Sequence, residues 1–312
     1  MQIHDVCVLG GSGFVGRHVC HQLVTQGYRV TVPTRDRERA KSLITLPTAD
    51  VLTADVHDPA TLKRVVRGCD AVINLIGVLH DANGKGSFRQ AHVDLARKVT
   101  DACRQRGVRR LVHMSALNAA VNAQSAYLRS KGEAEAIVRE SGLCYTIFRP
   151  SVIFGREDRF LNLFAKLLRF MPVIVLGSPN ARFQPVYVED VARIFTEGLT
   201  RLDSFGRSYD LAGPKAYTLR ELVAWVGEVT GHRRRIIGLN ETLSYWQARV
   251  IELLPGKLIT RDNYYSMKVD SVSSAPLPFG IASTPLEAVA PAWLVQRTPR
   301  NRYNAFRAKT SE

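Results

Sequence analysis

Along the first half of the chain, short apolar runs alternate with stretches whose apolar residues recur at helical spacing. The runs at 6–9, 28–32, 50–54, 71–76, 110–114 and 145–148 predict six strands, several of them apolar enough to be covered on both faces. Between them the spacing predicts a helix from about residue 14, with Val15, Val19 and Leu23 on one face. Further helices are expected at 38–43, 59–66, about 88–106 and about 125–141. This alternation predicts an α/β fold: a doubly wound parallel sheet (Rossmann) whose ligand crevice lies at the strand C-termini.

After Pro150 the rhythm changes. Helical segments near 158–170, 189–200 and 218–230 are separated by turns containing Pro and Gly, with short strands near 184–188 and 207–211. A smaller, mostly helical C-terminal region is expected, interleaved with the sheet rather than following it.

The end of the first strand carries the chemistry. Gly10-Gly11-Ser12-Gly13-Phe14-Val15-Gly16 turns a strand sharply into a helix. Gly10 permits the turn, Gly13 lets the backbone approach a dinucleotide pyrophosphate, and Gly16 lets the helix pack against the strand. The phosphates then rest on free N–H groups at the start of the helix, around Phe14, Val15, Gly16 and Arg17, where the helix dipole adds about 0.3–1 kcal/mol. On this reading residues 1–155 form an NAD(P)-binding domain with returning segments near 184–213. Residues 156–296 form a substrate or partner region, and 297–312 a loosely ordered basic tail.

The second strand says which dinucleotide. An acidic residue at its end accepts hydrogen bonds from the adenosine ribose of NAD. Here Thr34 and Arg35 occupy that place, and Asp36 falls where it caps the next helix. A guanidinium pairs with a 2′-phosphate through charged hydrogen bonds of about 1.5–3 kcal/mol each, so NADP(H) is favoured over NAD(H), with Arg17 adding to the preference. The alternative for Arg35 is a solvated charge in an Arg-Asp-Arg-Glu-Arg run.

A phenol and an ammonium follow at Tyr127 and Lys131, four residues apart on one face of the helix after the fifth strand. The phenol exchanges a proton with a reacting oxygen if an ammonium about 4 Å away lowers its pKa from about 10. Ser115, at the end of the fifth strand, is placed to orient the same oxygen. The alternative is that Tyr127 and Lys131 only hold the nicotinamide ribose.

Together these features resemble the short-chain dehydrogenase/reductase superfamily in its extended or atypical branch. The resemblance covers nearly the whole chain and rests on the glycine turn, Asp55, Asn74-Leu75-Ile76-Gly77, Ser115, Tyr127, Lys131 and the string from Arg149 to Gly155. It implies that Asp55 and Val56 flank the adenine, that Asn74, Leu75 and Gly77 pass beside the nicotinamide ribose, and that Pro150, Val152 and Ile153 meet the carboxamide. Longer strings look like the dehydrogenase-type accessory subunit of respiratory complex I, the ninth of its alpha subcomplex, and its stand-alone bacterial relatives. They are Tyr127-Leu-Arg-Ser-Lys-Gly-Glu133, Phe154-Gly-Arg-Glu-Asp-Arg-Phe-Leu-Asn162, Gln184-Pro-Val-Tyr-Val188, Ile259-Thr-Arg-Asp262 and Thr284-Pro-Leu-Glu287. The first strand begins without a presequence, which suits a bacterial relative. In the mitochondrial subunit the family holds NADPH as a structural element, which the resemblance sets against the full set Ser115, Tyr127 and Lys131.

Composition narrows the partners. Five scattered cysteines without Cys-x-x-Cys suit core thiols in a reduced compartment, and the histidines lack metal-ligand spacing, so no metal is expected. The longest apolar stretch, 160–176, is broken by Lys166, Arg169 and Pro172, and no signal peptide or transmembrane span is expected. A cytoplasmic protein, peripheral to the inner membrane at most, is the expectation. The net charge of +15 exceeds what one cofactor needs and points to an anionic membrane surface or respiratory-complex subunits, while no nucleic-acid-binding motif accompanies it. Two amphipathic stretches, 159–171 and 245–258, either face the core or touch lipid. Three functions follow: an NADP(H)-dependent oxidoreductase acting on a lipophilic carbonyl or quinone, a non-catalytic NADPH-binding subunit, or a nucleotide-sugar epimerase or dehydratase. The residue pair Thr34 and Arg35 counts against the third.

Overall fold

All six apolar runs are strands in the computed structural model, which describes residues 2–79, 81, 87–253 and 260–295. The tail at 297–312, and Leu254, Lys257 and Ile259, lie outside the described residues. The chain runs through β1 (Asp5–Leu9), α1 (Phe14–Thr25), β2 (Arg29–Thr34), a 3-10 turn at Arg37–Ala40, α2 (Lys41–Ile44) and β3 (Ala49–Thr53). It continues with α3 (Pro59–Val65), β4 (Ala71–Asn74), α4 (Leu95–Arg106), β5 (Arg110–Met114), α5 (Ala126–Arg139) and β6 (Cys144–Pro150). Next come β7 (Ile153–Phe154), α6 (Phe160–Phe170), β8 (Val173–Leu176), β9 (Arg182–Phe183), β10 (Val186–Tyr187) and α7 (Val188–Gly198). Then follow β11 (Arg207–Leu211), β12 (Tyr217–Thr218), α8 (Leu219–Val229), β13 (Arg235–Gly238), α9 (Glu241–Glu252) and α10 (Arg261–Ser266).

The main sheet has seven strands in the order β11-β6-β5-β4-β1-β2-β3, every pair parallel. Strand order reverses beside β1, and the crevice opens between the ends of β1 and β4. Alternation along β1 sends Val6 and Val8 to one layer with α1 and α7, and Cys7 and Leu9 to the other with α3, α4 and α5. A separate core joins α6, β8 and α8 through Leu161, Phe164, Leu168, Ile174, Leu222 and Val226.

Four details depart from the periodicity. β4 stops at Asn74, whose side chain accepts the Ile76 N–H at 3.2 Å and closes a turn. The expected helix at 88–106 opens with a π-helical turn, Arg89–Asp94, before α4 begins. The short strand expected near 207–211 is β11, the seventh strand of the sheet, paired with β6 from Arg207 opposite Thr146. The two amphipathic stretches diverge: α6 buries Leu161, Phe164 and Leu168, whereas α9 buries only Ser244 and Ala248 and leaves Leu243, Trp246 and Val250 exposed.

At the opposite end of the sheet from the crevice, Arg110 is fully buried. Its guanidinium donates to Leu199 O (2.9 Å), Cys144 O (2.7 Å), Gly198 O (2.6 Å) and Thr146 Oγ1 (2.7 Å), and lies 4.3 Å above the Phe205 ring. Burial lowers its pKa to about 10.

Candidate functional site

The three glycines at the end of β1 differ in why they are glycine. Gly10 has φ +82°, and a Cβ there would press on Leu75 and Ile76 at 3.1–3.2 Å. A Cβ on Gly16 would lie 2.2 Å from Gly10 O, so α1 can approach β1 only without it. Gly13 has φ −77° and ψ 177°, open to any residue, and a Cβ there would meet Gly10 O at 3.1 Å and nothing else within 4 Å. The backbone conformation does not demand glycine at 13, and a methyl there asks Gly10 O to give by only a few tenths of an ångström. What its absent side chain clears is the start of α1, which has no side-chain cap and no acidic residue in its first turn. The loop fits a pyrophosphate seated on the N–H groups around Phe14 and Val15.

The residues expected at the adenosine end lie at the tips of β2 and β3. Thr34 Oγ1 donates to Asp36 O at 2.9 Å and lies 3.2 Å from Ser12 Oγ, tying β2 to the glycine loop. Arg35 is exposed, and Asp36 turns away from it, accepting from the Glu38 N–H at 3.0 Å and pairing with Arg39. Asp36 is thus a cap, as its position predicts. Asp55 accepts the His57 N–H at 3.0 Å, and Val56 is buried beneath. Burial lowers the His57 imidazole, and Arg35 and Lys98 lower it further against the pull of Asp55, so Arg35 and the 55–57 turn share one neighbourhood. Arg17 donates to Ser12 O at 2.9 Å and pairs with Glu157, so its guanidinium ties the glycine loop to the turn after β7.

The residues expected at the nicotinamide end gather at the tips of β4, β5 and β6. Asn74 and Leu75 are buried, and a Cβ on Gly77 would come 3.0 Å from Lys131 Nζ and 3.4 Å from His92 Nε2. Lys131 is buried and donates to Met114 O at 3.1 Å. The stretch holding Pro150, Val152 and Ile153 bridges neighbours: Leu117 N–H donates to Pro150 O (3.0 Å), Val186 N–H to Val152 O (2.9 Å), and Ile153 pairs with Val186.

Several residues join this end that the sequence did not single out. His92, in the π-helical turn, accepts the Val78 N–H on Nε2 at 3.1 Å, so Nδ1 carries the proton and donates to Ser130 Oγ at 2.8 Å. Ser130 in turn donates to Tyr127 O at 2.8 Å. The rings of Phe88 and His92 stand 5.8 and 5.7 Å from the Tyr127 ring. Asp262 accepts from the Ala126 and Tyr127 N–H groups (2.6 and 3.1 Å) and from Ser125 Oγ (2.9 Å), fixing the start of α5.

The electrostatics run opposite to the sequence expectation for the phenol. Desolvation pushes the half-buried Tyr127 phenol up to about 12, with Asp262 adding, so Lys131 does not bring it down. Burial lowers Lys131 to about 8 against the pull of Glu135, and lowers His92 to about 2 and His113 to about 3. Ser115 is buried just past the end of β5. Its hydroxyl is buried without a well-formed hydrogen bond and lies against Glu135, where it favours the charged carboxylate. Glu135 is itself held by Arg149 (2.8 and 2.6 Å) and Arg139 (2.5 Å). Ser115 therefore faces an ion-pair cluster one turn along α5 from Lys131, two turns from Tyr127.

Comparison with known proteins agrees with this geometry. Residues 10–159 match a family model described as NAD(P)H-binding. The chain is 33% identical over 292 residues to the mitochondrial NADH dehydrogenase [ubiquinone] 1 alpha subcomplex subunit 9 of Rattus norvegicus, covering 90% of this chain and 77% of that one. It is 30% identical over 242 residues to a ceramide reductase of Caulobacter vibrioides, covering 75% of this chain and 73% of the relative. Among solved structures, an NADPH-dependent quinone oxidoreductase of Escherichia coli complexed with NADPH shares the fold, with a TM-score of 0.73 at 20% identity over 91% of this chain and 98% of that one. Among the described residues no helix is long and apolar enough to cross a membrane. With a glycine loop shaped for a pyrophosphate and a relative that matches nine-tenths of this chain, the chain belongs to the NAD(P)H-binding, short-chain dehydrogenase/reductase-like family that includes the alpha subcomplex subunit 9 of complex I.

Proposed function

We propose that this chain is an NADP(H)-dependent reductase acting on a lipophilic carbonyl or quinone-type substrate. The observation that carries the proposal is the placement of Tyr127, with its ring against Phe88 and His92 and one helical turn from the buried Lys131. A phenol is protonated at neutral pH and so stands ready to give a proton to a carbonyl or quinone oxygen as that group takes up hydride, the acid step of a reduction. When bound, the reduced nicotinamide supplies hydride; Tyr127 gives the proton that the reacting oxygen needs to become a hydroxyl. Lys131, fixed on Met114 O beneath Gly77, orients the ribose side of the site and returns positive charge to it. Gly13 clears the approach of the phosphates to Phe14 and Val15.

NADP(H) over NAD(H) belongs to the same proposal. Arg35 is exposed at the end of β2, and Asp36 is engaged as a cap and is not offered to ribose hydroxyls. The names of the Caulobacter ceramide reductase and the Escherichia coli quinone oxidoreductase support a lipophilic acceptor. So does the aromatic wall around Tyr127. A lipophilic substrate is met at a membrane, and peripheral association is part of the reading.

The second reading is a non-catalytic NADPH-binding subunit of a respiratory complex. It is favoured by the Glu135 carboxylate beside Ser115, which competes with a reacting oxygen for that hydroxyl. The test is reduced-nicotinamide fluorescence of the purified protein with NADPH and a panel of quinones and long-chain carbonyl compounds, beside Tyr127→Phe. The reductase reading expects acceptor-dependent loss of signal that falls at least ~10²-fold in the variant, with NADPH affinity kept within a few-fold. NADPH held by both proteins without turnover across the panel overturns it in favour of the accessory subunit.

A further inference from the structure

We infer that the outer face formed by β8, β13 and α9 docks on an anionic lipid bilayer. β8 and β13 pair in parallel, with Val173 opposite Arg235, Ile174 opposite Ile236 and Val175 opposite Ile237. Alternation buries Ile174 and Leu176 in the core of the C-terminal region and leaves Val175 and Ile237 exposed side by side, with Arg235 on the same outward face. Just before β8, Phe170 (69% exposed) and Met171 end α6.

α9 adds a stripe to this face. Leu243, Trp246, Val250 and Leu253 are exposed, Leu253 by 83%, and at ~100° per residue they fall within one sector of about 80°. That sector lies opposite the buried Ser244 and Ala248. Gln247 donates to Val175 O at 2.8 Å, which sets the helix against the edge of the small sheet. Three large apolar side chains turned outward on one helix, with a fourth at its C-cap, are unlike the scattered exposed residues of an ordinary surface.

Charge identifies the occupant. The Arg249 guanidinium lies 5.5 Å over the Trp246 ring and that of Arg169 5.4 Å over the Phe170 ring, so two apolar anchors carry a cation over the ring. Arg235 stands beside Ile237. The acidic residues of α9, Glu241 and Glu252, fall on the side away from the stripe, and Glu252 pairs with Arg261. Aromatic and aliphatic anchors rimmed by arginines, on a chain of net charge +15, match a headgroup layer that takes apolar groups below and cations at its phosphates. The inference stands on this surface alone and does not depend on the reductase reading.

The test uses the full chain and unilamellar vesicles of phosphatidylcholine with about 30% phosphatidylglycerol, against pure phosphatidylcholine, at about 50 mM salt. Cosedimentation and tryptophan emission read binding, with Trp246→Phe assigning the blue-shifted signal. The expected result is binding to the anionic vesicles only, weakened at least about tenfold both by L243S/V250S and by R169Q/R235Q/R249Q. Thermal melting and NADPH titration of both variants confirm that they are folded, and the second changes only exposed side chains. Absence of binding to anionic vesicles overturns the inference. So does binding that both variants leave intact, which assigns it to another basic segment. Self-association of the wild type that L243S/V250S abolishes, without vesicle binding, overturns it in favour of a second copy.

Discussion

Replacing Gly13 by alanine separates what the fold needs from what the ligand needs. The backbone at Gly13 suits any residue, and the new methyl meets Gly10 O at 3.1 Å alone. Exchanging glycine for alanine at a helix N-cap costs about 0.5–1 kcal/mol, and the reduced freedom of the unfolded chain offsets about 0.4–1 kcal/mol. Stability by urea unfolding should thus stay within about 1 kcal/mol of wild type. The pyrophosphate meets the same methyl as an obstacle over the first N–H groups of α1. Charged hydrogen bonds contribute about 1.5–3 kcal/mol each, so losing two weakens NADPH binding by about 3–6 kcal/mol, at least ~10²-fold. Gly16→Ala is the contrast. Its Cβ would lie 2.2 Å from Gly10 O, so α1 must move by about 1 Å, costing about 1–3 kcal/mol of stability along with binding. Fluorescence titration of NADPH decides the matter. Wild-type affinity in Gly13→Ala would refute the phosphate site, and a melt as damaged as that of Gly16→Ala would refute the claim that the backbone conformation does not demand this glycine.

Two further outcomes follow from the charges. Arg35→Ser should weaken NADPH about tenfold or more and NADH by less than about threefold, measured by the same titration; equal losses would put Arg35 away from the 2′-phosphate. Lys131 titrates near 8 in the folded chain against an ordinary 10.5. A lowered lysine weighs against folding while it is charged, and the penalty lifts as pH rises from about 8 to 10.5. The stability of wild type relative to Lys131→Met should therefore rise by about 3 kcal/mol over that window in urea melts, and a flat difference would refute the buried-ammonium account.

The glycine turn was legible because its constraints are local: Gly10 and Gly16 sit within one turn of the atoms they must avoid. The strands were legible because Val6, Cys7, Val8 and Leu9 are all buried between two layers. His92 was not, since a π-helical turn shifts the phase of a helix without altering its composition, and that shift carries the ring onto Tyr127. Glu135 had a signal that went unused: with Tyr127 and Lys131 it completes a run at four-residue spacing, and it is Glu135 that Ser115 faces. Arg17 and Asp262 find their partners 140 and about 135 residues away, Glu157 and the start of α5, where no local pattern reaches. Periodicity gave the width of the apolar stripe on α9 but not its direction, which depends on Gln247 reaching Val175.

Arg110 also governs the order in which this chain can be completed. Most of its partners, at Gly198, Leu199 and Ser204, belong to the end of α7 and the turn before β11. A nascent chain that has emerged only as far as β6 has its glycine loop and six strands, yet at the N-terminal end of β5 it holds a cation with nothing but Cys144 O and Thr146 to receive it. Water must keep that end of the sheet open until α7 arrives. The half of the protein that carries the nucleotide loop therefore lacks three of the five acceptors of its buried arginine, and its fifth strand is completed by a turn synthesised long after it.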